Sequence, residues 1–217
     1  MRRFFIDKTE NMRDVGGYTV DNNNCVKEGK IIRSNCVTNL NDQEISQLLN
    51  MGFTTIIDLR CDQEIEKKHS VFNDNNKFQF YHIGLKGDGK IPNSKDEVLD
   101  SYIDILDGKK QIKEIFEILN ESKGGVIYYC SAGKDRTGVV TACILKLLGA
   151  EDKDIVADYV ASGVFLKDNV ISIDYDNCKG CGLCVNTCKF NAITIDYSDK
   201  TIDNVVNRID NLLEIRE

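Results

Sequence analysis

The stretch Gly124-Gly125-Val126-Ile127-Tyr128-Tyr129-Cys130-Ser131-Ala132-Gly133-Lys134-Asp135-Arg136-Thr137-Gly138 decides how the chain is read. Two glycines introduce Val126–Cys130, an apolar run of the length expected for a buried strand. Residues 137–148 follow as a helix with apolar residues on most sides, stopped by Gly149. Strand, tight loop and helix together form an anion trap. Backbone N–H groups of Ser131, Ala132, Gly133 and Lys134 can point into the loop, and the helix N-terminus adds partial positive charge. Arg136 supplies a planar fork that matches two phosphate oxygens. The same field favours a thiolate at Cys130, and the thiolate is the nucleophilic form. Its attack on phosphorus would give a phosphocysteine that water then hydrolyses. Thr137 can donate its hydroxyl to the sulfur or the loop, Lys134 can offset a second phosphate charge, and Gly138 lets the helix approach closely. A structural cysteine beside a helix-start arginine would not explain Gly-Lys-Asp-Arg in a tight turn.

Working outward, Ile31-Ile32-Arg33, Thr55–Leu59 and Phe78–Ile83 read as further strands. Residues 41–51 show helical spacing through Ile45, Leu48 and Leu49. Asn41 is placed as N-cap with Glu44 three residues on, and Gly52 as the stop. Residues 95–106, 109–121 and 151–162 read as helices. Strands alternating with helices predict an α/β fold, a central and mostly parallel sheet flanked by helices. Near residue 168 the texture changes. Ile171-Ser172-Ile173, a cysteine cluster and Ala192–Ile195 make a β-loop-β unit, and residues 199–216 carry apolar side chains at helical spacing. The expected organisation is a catalytic domain over residues 1–167 and a small module with a terminal helix over 168–217.

Composition narrows the function classes. The chain has 217 residues, of which 41% are hydrophobic and 29% charged, enough for one α/β core and an appendage. Net charge is −7, with no basic face or tail, which argues against nucleic-acid binding. No apolar run reaches the ~18 residues of a membrane span, and Phe4-Phe5-Ile6 is too short for a secretory signal. The expectation is a cytoplasmic protein. Nine cysteines, an odd number, point in such a compartment to metal binding or catalysis rather than a disulfide framework.

The segment Cys130–Gly138 resembles the active-site loop of cysteine-based protein tyrosine phosphatases, in particular the bacterial branch with tyrosine and lipid phosphatase activity. Asn11-Met12-Arg13-Asp14-Val15-Gly16-Gly17-Tyr18, Ile32-Arg33-Ser34, Ile57-Asp58-Leu59-Arg60 with Glu64, and Ala157-Asp158-Tyr159 through Ser162 are similar to the same branch. The resemblance covers about residues 10–165. It implies Cys130 as nucleophile, Arg136 as phosphate clamp, and a phosphorylated protein or phosphoinositide as substrate. The family usually has histidine before the cysteine, where this chain has Tyr129. A general acid must reach the ester oxygen. Asp135, Asp58 and Asp88 are candidates by position, and the resemblance favours Asp135.

A second motif is Cys178-x-x-Cys181-x-x-Cys184-x-x-x-Cys188. Thiolates at this spacing wrap a 4Fe-4S cluster, and Gly180 and Gly182 permit the tight turns. The flanks resemble bacterial ferredoxins, with Lys189 where those have proline. Zinc and a remnant that holds no metal are the alternatives, although zinc pairs are normally separated by a longer loop. In two-cluster ferredoxins the fourth cysteine serves the other cluster. With one motif only, Cys188 is expected to complete a cluster in a second copy, making a homodimer through this module. Two functions are therefore open: a phosphomonoester hydrolase that needs no metal for its chemistry, or an iron–sulfur electron-transfer or redox-sensing protein whose first domain only binds phosphorylated partners.

Overall fold

The computed structural model describes residues 9–20, 24–87 and 95–165. Five strands form one sheet: β1 (Arg13–Asp14), β2 (Ile31–Asn35), β3 (Phe53–Asp58), β4 (Gln79–His82) and β5 (Gly125–Cys130). Six helices accompany them: α1 (Asp42–Asn50), α2 (Asp62–Lys67), α3 (Lys95–Leu106), α4 (Lys109–Glu121), α5 (Asp135–Leu147) and α6 (Asp152–Phe165). The strand order is β1-β2-β5-β3-β4. β1 runs antiparallel to β2, and the other pairings are parallel, so the sheet is mixed but mostly parallel, as expected.

β5 lies between β2 and β3, with all six of its residues buried. Strand periodicity sends Val126, Tyr128 and Cys130 to one face and Ile127 and Tyr129 to the other. On the first face they pack with Ile57 of β3 and with Ile105, Ile115, Val140 and Ile155 from α3 to α6. On the second they pack with Ile56 and with Ile45 and Leu48 of α1, Phe72 and Phe78. Helices on both faces explain why β5 reads as a continuous apolar run. They also leave the carboxyl end of this central strand, where the Cys130 loop begins, as the site such sheets offer to ligands.

The predicted strands and helices that fall on described residues are present, with boundaries shifted by a few residues. At α1 the Asn41 side chain accepts from the Glu44 N–H at 2.9 Å, and Glu44 accepts from the Asn41 N–H at 2.7 Å. Two elements were not anticipated. β1 is only two residues long and has no room for an alternation pattern. α2 has no buried residues, so no apolar stripe marks it. The second domain at 168–217, its predicted strands and helix, Cys178, Cys181, Cys184 and Cys188, the homodimer contact and Asp88 lie outside the described residues. No helix among the described residues is long and apolar enough to cross a membrane.

Three distant segments are tied beneath the loop by buried charge. Arg13 Nε lies 3.1 Å from Asp158 Oδ1, Arg33 Nη1 pairs with Asp158 Oδ2, and all three side chains are at most 1% exposed. Tyr18 donates to Asp158 Oδ1 at 3.1 Å. Both guanidinium groups also donate to Ser162 Oγ, at 2.9 and 3.1 Å. Burial pushes the Asp158 carboxyl up, but Arg33 and Arg13 together hold it below its ordinary value. Burial, with the nearby Arg33 charge, lowers Arg13 to about 10. Two guanidinium groups and one carboxylate leave surplus positive charge in the interior, so the carboxylate is needed by both. Asp158→Asn should cost about 3–5 kcal/mol, the range for removing one partner of a buried ion pair. Urea unfolding midpoints measure this.

Candidate active site

The loop from Ser131 to Lys134 is shaped by what its carbonyl groups bind. Ser131 O accepts from the Cys36 N–H at 3.1 Å. Ala132 O and Gly133 O accept from Asn11 Nδ2 at 3.0 and 2.9 Å. Gly133 O also accepts from Arg33 Nη2 at 2.8 Å. In a trans peptide the N–H points opposite to the C=O. Outward carbonyl groups at 131, 132 and 133 therefore direct the N–H groups of Ala132, Gly133 and Lys134 inward. The first helical bond of α5 runs from the Gly138 N–H to Lys134 O at 2.7 Å. The N–H groups of Asp135, Arg136 and Thr137 precede it and have no carbonyl a turn earlier to bind. The result is a cup of donors at the end of β5 and the start of α5.

Asn11 is oriented to do this. Its own N–H donates to Asn35 Oδ1 at 3.2 Å, anchoring it to the end of β2. Its Oδ1 accepts from Arg13 Nη1. Because arginine can only donate, the Asn11 amide must turn its NH2 toward the loop. Gly133 adopts φ +69°, and a Cβ there would lie 2.3 Å from Ser34 O. The turn therefore requires glycine both for its backbone conformation and for its contact with β2.

Cys130 is buried at the base of the cup, and its thiol is free. Arg136 is 6% exposed. Its Nη1 and Nη2 donate to Glu64 Oε2 and Oε1 at 2.5 and 2.7 Å. Ser131 Oγ donates to Glu64 Oε1 at 2.5 Å, and the Cys61 N–H donates to Oε2 at 3.0 Å. Glu64 thus takes the terminal edge of the guanidinium and leaves the Nε edge for an oxyanion. Burial pushes the Glu64 carboxyl up, but the hydrogen bonds from Arg136 and Ser131 bring it down to about 2. Burial works against the charge on Arg136 as well, and Glu64 nevertheless raises it above the ordinary guanidinium value.

The remaining predicted residues divide. Ser131 and Ala132 line the loop with exposed side chains, and Lys134 is half-buried at the start of α5. Thr137 is fully buried, but its Oγ1 has no hydrogen-bond partner among the described residues, neither the sulfur nor the loop. Asp135 Oδ1 accepts from Tyr102 and Tyr159 hydroxyls at 2.8 and 3.1 Å. Asp58 is fully buried and bound by Arg60, Nε to Oδ1 at 2.9 Å and Nη2 to Oδ2 at 2.6 Å. That pairing rules it out as a general acid and makes it a strand-end ion pair. Tyr129, in the place before the cysteine, donates its hydroxyl to Asp58 Oδ2 at 2.9 Å and lies against Phe72 and Arg60. Residue-by-residue reading did not assign Asn11, Arg33, Glu64, Tyr102 or Tyr159 to the site. All of these except Tyr102 fall in stretches that carried the family resemblance, which was the available signal.

The chain belongs to the tyrosine phosphatase family, whose model matches residues 5–212. It is 28% identical to a tyrosine-protein phosphatase of Nostoc commune, over 63% of this chain and 49% of that protein. It is 22% identical to the triple specificity protein phosphatase PtpB of Mycobacterium tuberculosis, over 70% of this chain and 66% of the relative. The chain thus spans about half to two thirds of the length of these relatives. It also aligns with the crystal structure of Pseudomonas aeruginosa TpbA at TM-score 0.43 and 13% identity, covering 89% of this chain and 90% of that one.

The Glu64 carboxyl gives a stability prediction with a definite sign. Its folded value, about 2, lies below its ordinary 4.5. Its contribution is therefore complete above pH 4.5 and disappears as pH falls to about 2. Glu64→Gln should lower the urea midpoint above pH 4.5, with the gap to wild type narrowing as pH falls through that window.

Proposed function

We propose that the protein is a phosphomonoester hydrolase that works through a phosphocysteine, with phosphotyrosine or a phosphoinositide as the ester. The observation that carries this reading is the outward binding of the loop carbonyl groups by Cys36, Asn11 and Arg33. It leaves a cup of N–H donors above a buried free thiol, with a guanidinium fixed at its rim. Amides of residues 132–137 and the free edge of Arg136 bind the phosphoryl oxygens.

The sulfur of Cys130 attacks phosphorus in line, the S–P bond forms, and the P–O bond to the leaving group breaks. The Asp135 carboxyl gives its proton to the departing oxygen. Water then attacks phosphorus with Asp135 taking its proton, the S–P bond breaks, and phosphate leaves with the thiolate restored. Family membership supports the phosphatase class, and the buried ion pair of Asp58 supports Asp135 as the acid by removing a rival. Lys134, half-buried beside the cup, would meet a second phosphate group on a phosphoinositide headgroup.

Cys130→Ser should abolish hydrolysis of p-nitrophenyl phosphate, with phosphate still bound. Arg136→Lys, which loses the planar fork, should lower kcat/KM by about 10²–10³-fold. Steady-state rates on this ester, phosphotyrosyl peptide and phosphoinositide measure both effects and rank the substrates. Turnover retained by Cys130→Ser would overturn the mechanism.

We also propose, from spacing alone, that Cys178, Cys181 and Cys184 hold an iron–sulfur cluster completed by Cys188 of a second copy. Anaerobically prepared protein should contain about four irons and four sulfides per cluster. It should sediment as a dimer, and replacing Cys188 by Ser should lower both the cluster content and the dimer fraction.

A further inference from the structure

Asp135 opens α5, and one of its two carboxyl oxygens is held by residues from two other helices. Tyr102 of α3 donates to Oδ1 at 2.8 Å, and Tyr159 of α6 donates to the same atom at 3.1 Å. The two hydroxyls also touch each other. Their rings meet edge to face, with centroids 5.9 Å apart and planes at 71°, so the pair packs as a unit. Among the described residues no donor reaches Oδ2.

The backbone of α5 is adapted to this arrangement. A Cβ on Gly138 would lie 2.7 Å from Cδ2 of Tyr159. The absent side chain thus leaves room for the Tyr159 ring against the first turn of the helix. Burial, followed by the nearby Tyr102 and Asp135, holds the Tyr159 hydroxyl well above the ordinary phenol value, so it remains a neutral donor at working pH.

We propose that Tyr102 and Tyr159 are positioning residues for Asp135. They engage Oδ1 from the helical side, fix the plane of the carboxyl, and leave Oδ2 to carry the proton to the ester oxygen. This assignment rests on the hydrolase reading above. Neither tyrosine is asked to touch substrate. Both act through the one carboxyl group, so their effect should appear where a leaving group needs a proton and should vanish when that carboxyl is gone.

The test compares kcat/KM, which reports attack by Cys130, for phenyl phosphate and p-nitrophenyl phosphate. The first expels a basic phenolate that needs protonation, and the second expels an oxygen that leaves readily. Tyr102→Phe and Tyr159→Phe should each lower the phenyl to p-nitrophenyl rate ratio by about fivefold or more, the loss of one hydrogen bond's worth of alignment. Asp135→Asn should lower the ratio further. Adding Tyr102→Phe to Asp135→Asn should change it by less than about twofold, because independent effects multiply and effects through one group do not. If Tyr159→Phe proves unstable, the half-buried Tyr102 carries the test alone.

A Tyr102→Phe variant that slows both esters equally overturns the proposal, as does an undiminished effect in the Asp135→Asn background. Wild-type protein without turnover of either ester overturns the hydrolase reading and this assignment with it. Turnover with an unchanged ester ratio removes this assignment only.

Discussion

The site depends on which way a few carbonyl groups face. A tight loop between a strand and a helix can present either its acceptors or its donors to the space above the strand. Here Cys36, Asn11 and Arg33 bind the acceptors of Ser131, Ala132 and Gly133 from outside. The donors are left facing inward. No lysine side chain has to enter the cup to make it attractive to an anion, because oriented amides and a helix N-terminus supply the charge. The two buried arginines beneath it act on loop geometry. Arg33 binds Gly133 O, while Arg13 orients Asn11, and both are balanced by the single carboxylate of Asp158.

Two further carboxylates show how one kind of side chain takes different roles by position. Asp58, sealed at the end of β3, is committed to Arg60 and Tyr129. It joins β3 to the residue before Cys130 and stabilises the face of the sheet opposite α5. Glu64, on the exposed helix α2, reaches over to the cup rim and fixes Arg136 together with Ser131. Tyr129 occupies the place where related loops usually have histidine, and its hydroxyl makes a strand-to-strand contact with Asp58 rather than a contact to the loop.

Much of this was legible before folding was considered. β5 announced itself because both of its faces are covered, so every residue is apolar or small. The capping pair Asn41 and Glu44 is a local contact, and local contacts read directly from spacing. By contrast, α2 has no buried face and β1 is two residues long, so neither leaves a periodic trace. Asp58 and Asp135 could not be ranked from residue type alone. What distinguishes them is that one meets a guanidinium two residues along, and the other meets two phenols from α3 and α6.

The amino-acid sequence by itself determined the strand–loop–helix with Cys130 and Arg136 at its ends, since these six peptide units are contiguous and their turn chemistry is local. Only the tertiary structure decided that the turn becomes a cup. The groups that orient it come from residues 11, 33, 36 and 64, and those that hold Asp135 from residues 102 and 159. Hydrogen bonds between residues up to 122 positions apart leave no periodicity to read. They exist because a parallel sheet brings distant strand ends to one edge.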